Sequence, residues 1–289
     1  MKLVMFDHDG ERHLGALRPG HEDQIVELTP LAHDLLALID AGESALAEAR
    51  KLVSSGARTR ALRDVRLLPP LDPPRGNVIA MGRNYQKHAD ETAGGGEAKP
   101  PTIFTKAITS VTGPFDDIAI DPSISDKIDW EVELAVVIGR RGANIARSDA
   151  LGHVFGYMAL NDVSARDIQN GWGGQYFKGK SLDRSCPIGP WVVTRDEIPN
   201  PQVLGLRLRV NGVVKQDGNT GDMIYPVDAT IEWCSKGMTL LPGAVIATGT
   251  PDGVASLAPR RSSSRPATSW RRRSMASASC ATGWCRLAR

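Results

Sequence analysis

Two glutamates, Glu131 and Glu133, stand two residues apart in a run of strand formers that includes Trp130, Val132, Leu134, Val136, Val137 and Ile138. Alternate residues of a strand face the same side, so both carboxylates point one way. A second apolar run, His153 to Leu160, ends in Asn161-Asp162. If the two runs are neighbouring strands, Glu131, Glu133 and Asp162 can meet. Three oxygen donors, with no Cys and no necessary His, suit a hard cation: Mg²⁺, with Mn²⁺ or Ca²⁺ as alternatives. The plainer reading puts both glutamates on the wet face of an antiparallel strand.

A second pair is His88 and Glu91, three residues apart. On a helical turn that spacing puts them side by side. A carboxylate beside an imidazole orients the ring and raises its basicity, as a general base requires. On its own an H-x-x-E pair is common on protein surfaces.

These residues need elements to hold them. Asn77 to Met81 reads as a buried strand leading into the His88 turn. Val203 to Lys215 alternates around Asn211-Gly212, a strong hairpin signal. Pro226 to Lys236 reads as a short amphipathic helix. Upstream, Lys2 to Phe6 and His13 to Leu17 form a hairpin around Asp7-His8-Asp9-Gly10. Thr29-Pro30 then opens a helix, with Thr29 as N-cap, that Gly42 interrupts. Leu67 to Pro74 (LLPPLDPP) is a stiff joint, dividing a module over 1–70 from a larger unit over 71–258.

Composition narrows the class. With 41% hydrophobic and 24% charged residues the chain is globular. It has no secretory signal and no apolar stretch long enough to span a membrane, so a cytoplasmic protein is expected. Cys186, Cys234, Cys280 and Cys285 lack metal spacing and fit reduced thiols. The net charge of +2 is misleading, because eight Arg and no Asp, Glu or Lys fall in residues 260–289. The remainder carries 27 basic against 33 acidic residues, so a nucleic-acid role would rest on the tail alone.

Several strings, taken in order, resemble the fumarylacetoacetate hydrolase family. They are G-x-N-Y-x-x-H-x-x-E (Gly82 to Glu91), P-x-x-F-x-K (Pro101 to Lys106), and E-x-E followed by N-D-x-S-A-R-D (Asn161 to Asp167). G-K-S-x-D-x-x-x-P-x-G-P (from Gly179), Q-x-G-N-T-x-D-M (from Gln216) and L-x-P-G to T-G-T-P-x-G-V (Leu240 to Val254) follow, with Ala244 where the family usually has Asp. The resemblance covers about residues 67–258. It implies an α+β fold, a mixed β-roll-like catalytic domain behind a small N-terminal α+β module, paired as a homodimer. It also implies metal ligands Glu131, Glu133 and Asp162, and catalytic His88, Glu91 and Lys180. Tyr85, Arg166, Gln175, Tyr176 and Thr250 are the substrate-contact candidates, and Lys106 is either structural or a carboxylate contact. Thr92 to Pro101 (TAGGGEAKPP) is a Gly-rich loop that would close over substrate.

The expected activity is metal-dependent hydrolysis of a carbon–carbon bond in a diketo acid, of the fumarylacetoacetate or acylpyruvate type. The metal would stabilise an enolate, His88 would activate water, and Lys180 would hold the departing enolate. The same site suits a decarboxylase, tautomerase or isomerase of a 2-oxo acid such as oxaloacetate or a hydroxymuconate-type catabolite. The expected partner is a small dicarbonyl or 2-oxo acid, with no nucleic acid and no membrane.

From Arg260 the composition breaks, and an inactive binding protein is the third reading. We read this tail as translated one nucleotide out of register. Ser269 to Ala276 can be written TCA TGG AGA CGG AGA TCG ATG GCA, which one base earlier reads V-M-E-T-E-I-D-G. The family resemblance implies a similar closing string, and resequencing the gene tests the idea.

Overall fold

The computed structural model describes residues 1–91 and 100–255, and the side chains of Asp90 and Glu91 fall outside that description. Residues 92–99 of the expected closing loop (Thr92 to Pro101) and residues 256–289, which include the tail, lie outside the described residues.

The chain starts as a meander: β1 (Lys2–His8), β2 (Glu11–Arg18) and β3 (His21–Glu27). Asp9 and Gly10 both have positive φ, 55° and 83°, which a two-residue hairpin turn requires. Helix α1 (Leu35–Ser55) follows, then β4 (Thr59–Ala61) and β5 (Arg66–Leu68). The helix starts later than Thr29-Pro30 suggested. Asp34 is its N-cap and accepts a hydrogen bond from the Ala37 N–H at 2.7 Å, whereas Thr29 Oγ1 is taken up by the Leu14 N–H. Gly42 interrupts the helix as expected, with φ 73°. The Pro-rich joint is packed, with Leu71 fully buried.

The rest supplies β6 (Val78–Gly82), α2 (Gln86–Glu91), β7 (Thr102–Lys106), β8 (Val111–Thr112), β9 (Ile128–Asp129) and β10 (Val132–Ile138). Then come β11 (Val154–Asn161), β12 (Ser164–Ala165), α3 (Arg166–Gly171), β13 (Cys186–Thr194), β14 (Gly205–Val210), β15 (Val213–Asn219), α4 (Val227–Ser235) and β16 (Val245–Ala247). One 12-stranded mixed sheet runs β4-β3-β2-β1-β13-β11-β10-β16-β6-β7, with β5 on β1 and β8 on β13. The strands before the joint enter this sheet through β1 and β13, where Lys2 is opposite Val193. The β14–β15 hairpin turns at Asn211-Gly212, both at positive φ, as its sequence predicts.

The centre of the sheet is buried on both faces. Along β10, Ala135 and Val137 enter one core with α1, whereas Val132, Leu134, Val136 and Ile138 enter a second core with α4 and the β14–β15 hairpin. Hence the near-continuous apolar run in a strand that still obeys period 2. Glu131 and Glu133 are in phase with Ala135 and Val137. Asp162, just past β11, is in phase with Met158 and Leu160, which belong to that first core. Among the described residues no helix is long and apolar enough to cross a membrane.

Candidate active site

β10 and β11 pair antiparallel with Val132 opposite Asn161, and the Asp162 N–H donates to the Glu131 carbonyl at 2.8 Å. That register sets Asp162 beside Glu131 and Glu133 on one face. The three side chains each offer an oxygen, and these atoms lie within 4.8 Å of one another. All three are buried: Glu131 is 5% exposed, Glu133 1% and Asp162 0%. This burial rules out the wet-face reading.

Three cations enclose the carboxylates. Lys180 Nζ lies 2.6 Å from Glu131 Oε2 and 2.9 Å from Asp162 Oδ2. It comes from a short turn after α3, where Gly179 abuts the helix; a Cβ there would stand 2.5 Å from the Gln169 nitrogen. Arg166, at the start of α3, donates from Nη2 to Glu131 Oε1 at 2.6 Å, from Nε to Asp129 Oδ2 at 2.9 Å and from Nη1 to Gln169 Oε1 at 2.8 Å. Lys106, at the end of β7, is fully buried and donates to the carbonyls of Val163 and Lys180. Its Nζ also forms an ion pair with Asp162 Oδ1 at 2.8 Å.

Protonation follows from the packing. Burial pushes the Glu133 carboxyl well above its ordinary range, the Asp162 and Glu131 charges add to this, and Lys180 and the Gly249 N–H oppose it. Burial also works against charge on Asp162, but Lys106 and Lys180 outweigh it and hold that carboxyl below its usual value. Lys180 is raised: burial opposes its charge, and Asp162 and Glu131 overcome that. Glu133 is the carboxylate without its own cation among the described residues; its hydrogen bond is from the Gly249 N–H at 2.7 Å. A divalent cation fits this donor set. It would neutralise Glu133 and the like charges around it, and would use acceptor directions that the ion pairs leave open, since each carboxylate offers about four.

Glu131 and Glu133 open on a cavity of about 310 Å³, with Asp162 buried behind them. Its wall includes Met81, Gly82, Arg83, His88, Phe104, Glu131, Glu133, Arg166, Gln169, Asn170, Tyr176, Lys180 and Thr250. His88 on α2 is 8% exposed; its expected partner Glu91 has a side chain outside the described residues. Tyr176 meets the Phe104 ring edge-on at 5.4 Å. Thr250 Oγ1 donates to the Val132 carbonyl at 2.9 Å and accepts from Gln216 Nε2 at 2.7 Å, so its hydroxyl also braces β10.

Two expected substrate contacts stand elsewhere. Gln175 is exposed and Tyr85 packs in the second core; neither lines the cavity. The Tyr85 hydroxyl is buried without a hydrogen-bond partner among the described residues. Its pKa is raised first by burial and then by the charges of Glu133 and Asp222. Arg83, Gln169 and Asn170 line the cavity without having been singled out. Gln169, at i+3 from Arg166 on α3, carried a helical-spacing signal that could have found it.

The fumarylacetoacetate (FAA) hydrolase C-terminal family profile matches residues 77–281. The chain belongs to the fumarylacetoacetate hydrolase family. Oxaloacetate tautomerase YisK of Bacillus subtilis is 41% identical over 244 residues, which is 81% of this chain and 80% of that protein. Bovine mitochondrial oxaloacetate tautomerase FAHD2A is 39% identical over 261 residues, 88% of this chain and 82% of its own length. Among solved structures, a fumarylacetoacetate hydrolase from Exiguobacterium antarcticum superposes with TM-score 0.75 at 40% identity, covering 88% of each chain. A maleylpyruvate hydrolase from Sphingobium sp. SYK-6, in complex with manganese(II) and pyruvate, gives TM-score 0.73 at 31% identity, covering 88% of this chain and 90% of that one.

Proposed function

We propose that this protein is a divalent-metal-dependent tautomerase of oxaloacetate, which moves a proton between C3 and the 2-oxo oxygen of that four-carbon acid. The observation that carries the reading is a buried cluster of three carboxylates, of which Glu131 and Glu133 line one cavity together with His88. The names of the similar proteins then favour tautomerisation over the diketo-acid hydrolysis expected from the sequence.

Glu131, Glu133 and Asp162 would hold a divalent cation such as Mg²⁺ or Mn²⁺, which would supply Lewis acidity toward the 2-oxo group and lower the cost of enolate charge. Lys180 and Arg166 fix Glu131, and Lys180 and Lys106 fix Asp162, so the donor oxygens are positioned beforehand. Lys180 also places a positive charge on the cavity wall, where it favours a developing enolate. His88, on the cavity wall, is the acid–base group: its imidazole can both take and return a proton. In the keto-to-enol direction the C3–H bond breaks and its electron pair forms the C2–C3 double bond. The C2 oxygen then gains a proton. No water is consumed and no carbon–carbon bond breaks. Met81 and Phe104 give the cavity an apolar side that limits water near the reacting carbon.

Diketo-acid hydrolysis is the second reading, favoured by the structural likeness to the maleylpyruvate hydrolase. Proton NMR in D₂O with Mg²⁺ separates the two. Rapid deuterium entry at C3 of oxaloacetate, with little cleavage of acylpyruvates, supports the tautomerase. Cleavage of acylpyruvates at a higher kcat/KM than oxaloacetate turnover overturns it.

A further inference from the structure

The cavity wall holds several cations, and most are already engaged. Lys180 is held by Glu131 and Asp162, and Arg166 by Asp129, Glu131 and Gln169. Arg83 differs. It lines the same cavity, is exposed, and makes no ion pair or side-chain hydrogen bond among the described residues.

Its backbone is nonetheless fixed. Arg83 sits in the turn between β6 and α2 with φ 54°, a left-handed conformation uncommon for a residue with a side chain. Such conformations persist where the surroundings impose them. Here the next residue, Asn84, is fully buried. Its side-chain amide donates to the Thr248 and Tyr225 carbonyls at 2.7 and 3.0 Å, and its oxygen accepts from the Tyr225 N–H at 2.7 Å. The turn is thus anchored while the guanidinium beside it is uncommitted.

A dicarboxylic 2-oxo acid carries one anionic group at its 2-oxo end and a second at its far end. The first would go to the cation held by the triad. The second enters a wall that already carries Glu131 and Glu133, and needs a positive partner of its own. We propose that Arg83 is the specificity residue of this site, binding the far carboxylate of a dicarboxylic 2-oxo acid through its guanidinium. A planar fork of N–H donors matches a carboxylate in charge and shape. The inference rests on the 2-oxo acid reading above and adds to it the preference for a dianionic over a monoanionic substrate.

The test uses Arg83→Lys, Arg83→Met and Arg83→Gly in the full chain loaded with Mg²⁺. Glycine accepts the positive φ without strain, so a loss in that variant does not come from the turn. The first readout is the ratio of kcat/KM for oxaloacetate to that for phenylpyruvate, a monocarboxylic acid that tautomerises by the same proton transfer. Loss of a charge-assisted pair lowers this ratio at least about tenfold in the Met and Gly variants, with Lys intermediate. The second readout needs no turnover: calorimetric binding of malate against lactate. If the protein turns over neither 2-oxo acid, the tautomerase reading fails, and calorimetry still decides the role of Arg83. A preference for malate that disappears in Arg83→Met and Arg83→Gly supports the proposal. An unchanged ratio with unchanged malate preference, or no malate preference in the unaltered protein, overturns it.

Discussion

Replacing Glu133 with Gln should stabilise the metal-free protein and remove most of its response to Mg²⁺. Glu133 is buried beside two other carboxylates, with the Gly249 N–H on one oxygen and no cation of its own among the described residues. Gln keeps an oxygen for that N–H and brings an NH₂ group that can donate to Glu131 or Asp162. Relieving a buried, poorly compensated charge is worth about 1–2 kcal/mol. At about 2–4 °C per kcal/mol for a chain of this size, melting in EDTA should rise by ~2–8 °C. The pH dependence has a definite sign. A carboxyl raised by folding contributes stability below its unfolded value of 4.5 and loses it as pH climbs toward the raised folded value. The metal-free parent should therefore weaken from pH 4.5 upward more than the Gln variant does. Metal reverses the order. At about 100 times its Kd, Mg²⁺ adds about 2.7 kcal/mol to the parent, and a hundredfold weaker site gains only about 0.4 kcal/mol. Thermal melts in EDTA and across a Mg²⁺ series measure both arms. A Gln variant that melts below the parent in EDTA and still gains equally from Mg²⁺ would refute the assignment of Glu133 as a metal ligand.

Three further outcomes follow from the packing. Lys106→Met leaves Asp162 with one cation in a dry site and should cost about 3–5 kcal/mol in urea unfolding; an unchanged midpoint would mean that the Lys106–Asp162 pair contributes nothing. Gly249→Ala meets both a φ of 93° and the Asn84 Cβ at 2.7 Å, and should cost roughly 1–3 kcal/mol while weakening Mg²⁺ binding through the displaced amide on Glu133. Burial pushes the Cys186 and Cys234 thiols up to about 12, so native alkylation near pH 8, mapped by mass spectrometry, should leave both unmodified until the chain is unfolded.

Much of the site was legible because the relevant signals are local. The E-x-E spacing and the Asn161-Asp162 boundary fixed strand phase, and one antiparallel register then brought three carboxylates together. Arg166, Lys106 and Lys180 were another matter. Their ion pairs depend on how α3, β7 and the turn at Gly179 pack around the strand ends, which no spacing encodes. Arg83 was hidden in a matched string because an exposed arginine resembles any solvated charge until a cavity wall is known. In the fold, β3 is not legible in the sequence because residues 21–27 offer little apolar signal beyond Ile25 and Val26. Thr29-Pro30 satisfies the rules for a helix start, but α1 begins at Leu35. The Thr29 hydroxyl is used by the Leu14 N–H, and Asp34 takes the cap.

The most direct test of the central claim is stopped-flow ketonisation of enol-oxaloacetate by metal-depleted protein, before and after adding Mg²⁺ or Mn²⁺, alongside His88→Asn and Glu131→Gln. The account predicts negligible catalysis without metal and restoration by either ion. It also predicts a His88→Asn variant that still binds metal but has lost at least about a hundredfold in rate, and a Glu131→Gln variant impaired in both binding and rate. Full activity in EDTA, or undiminished turnover by His88→Asn, would contradict it.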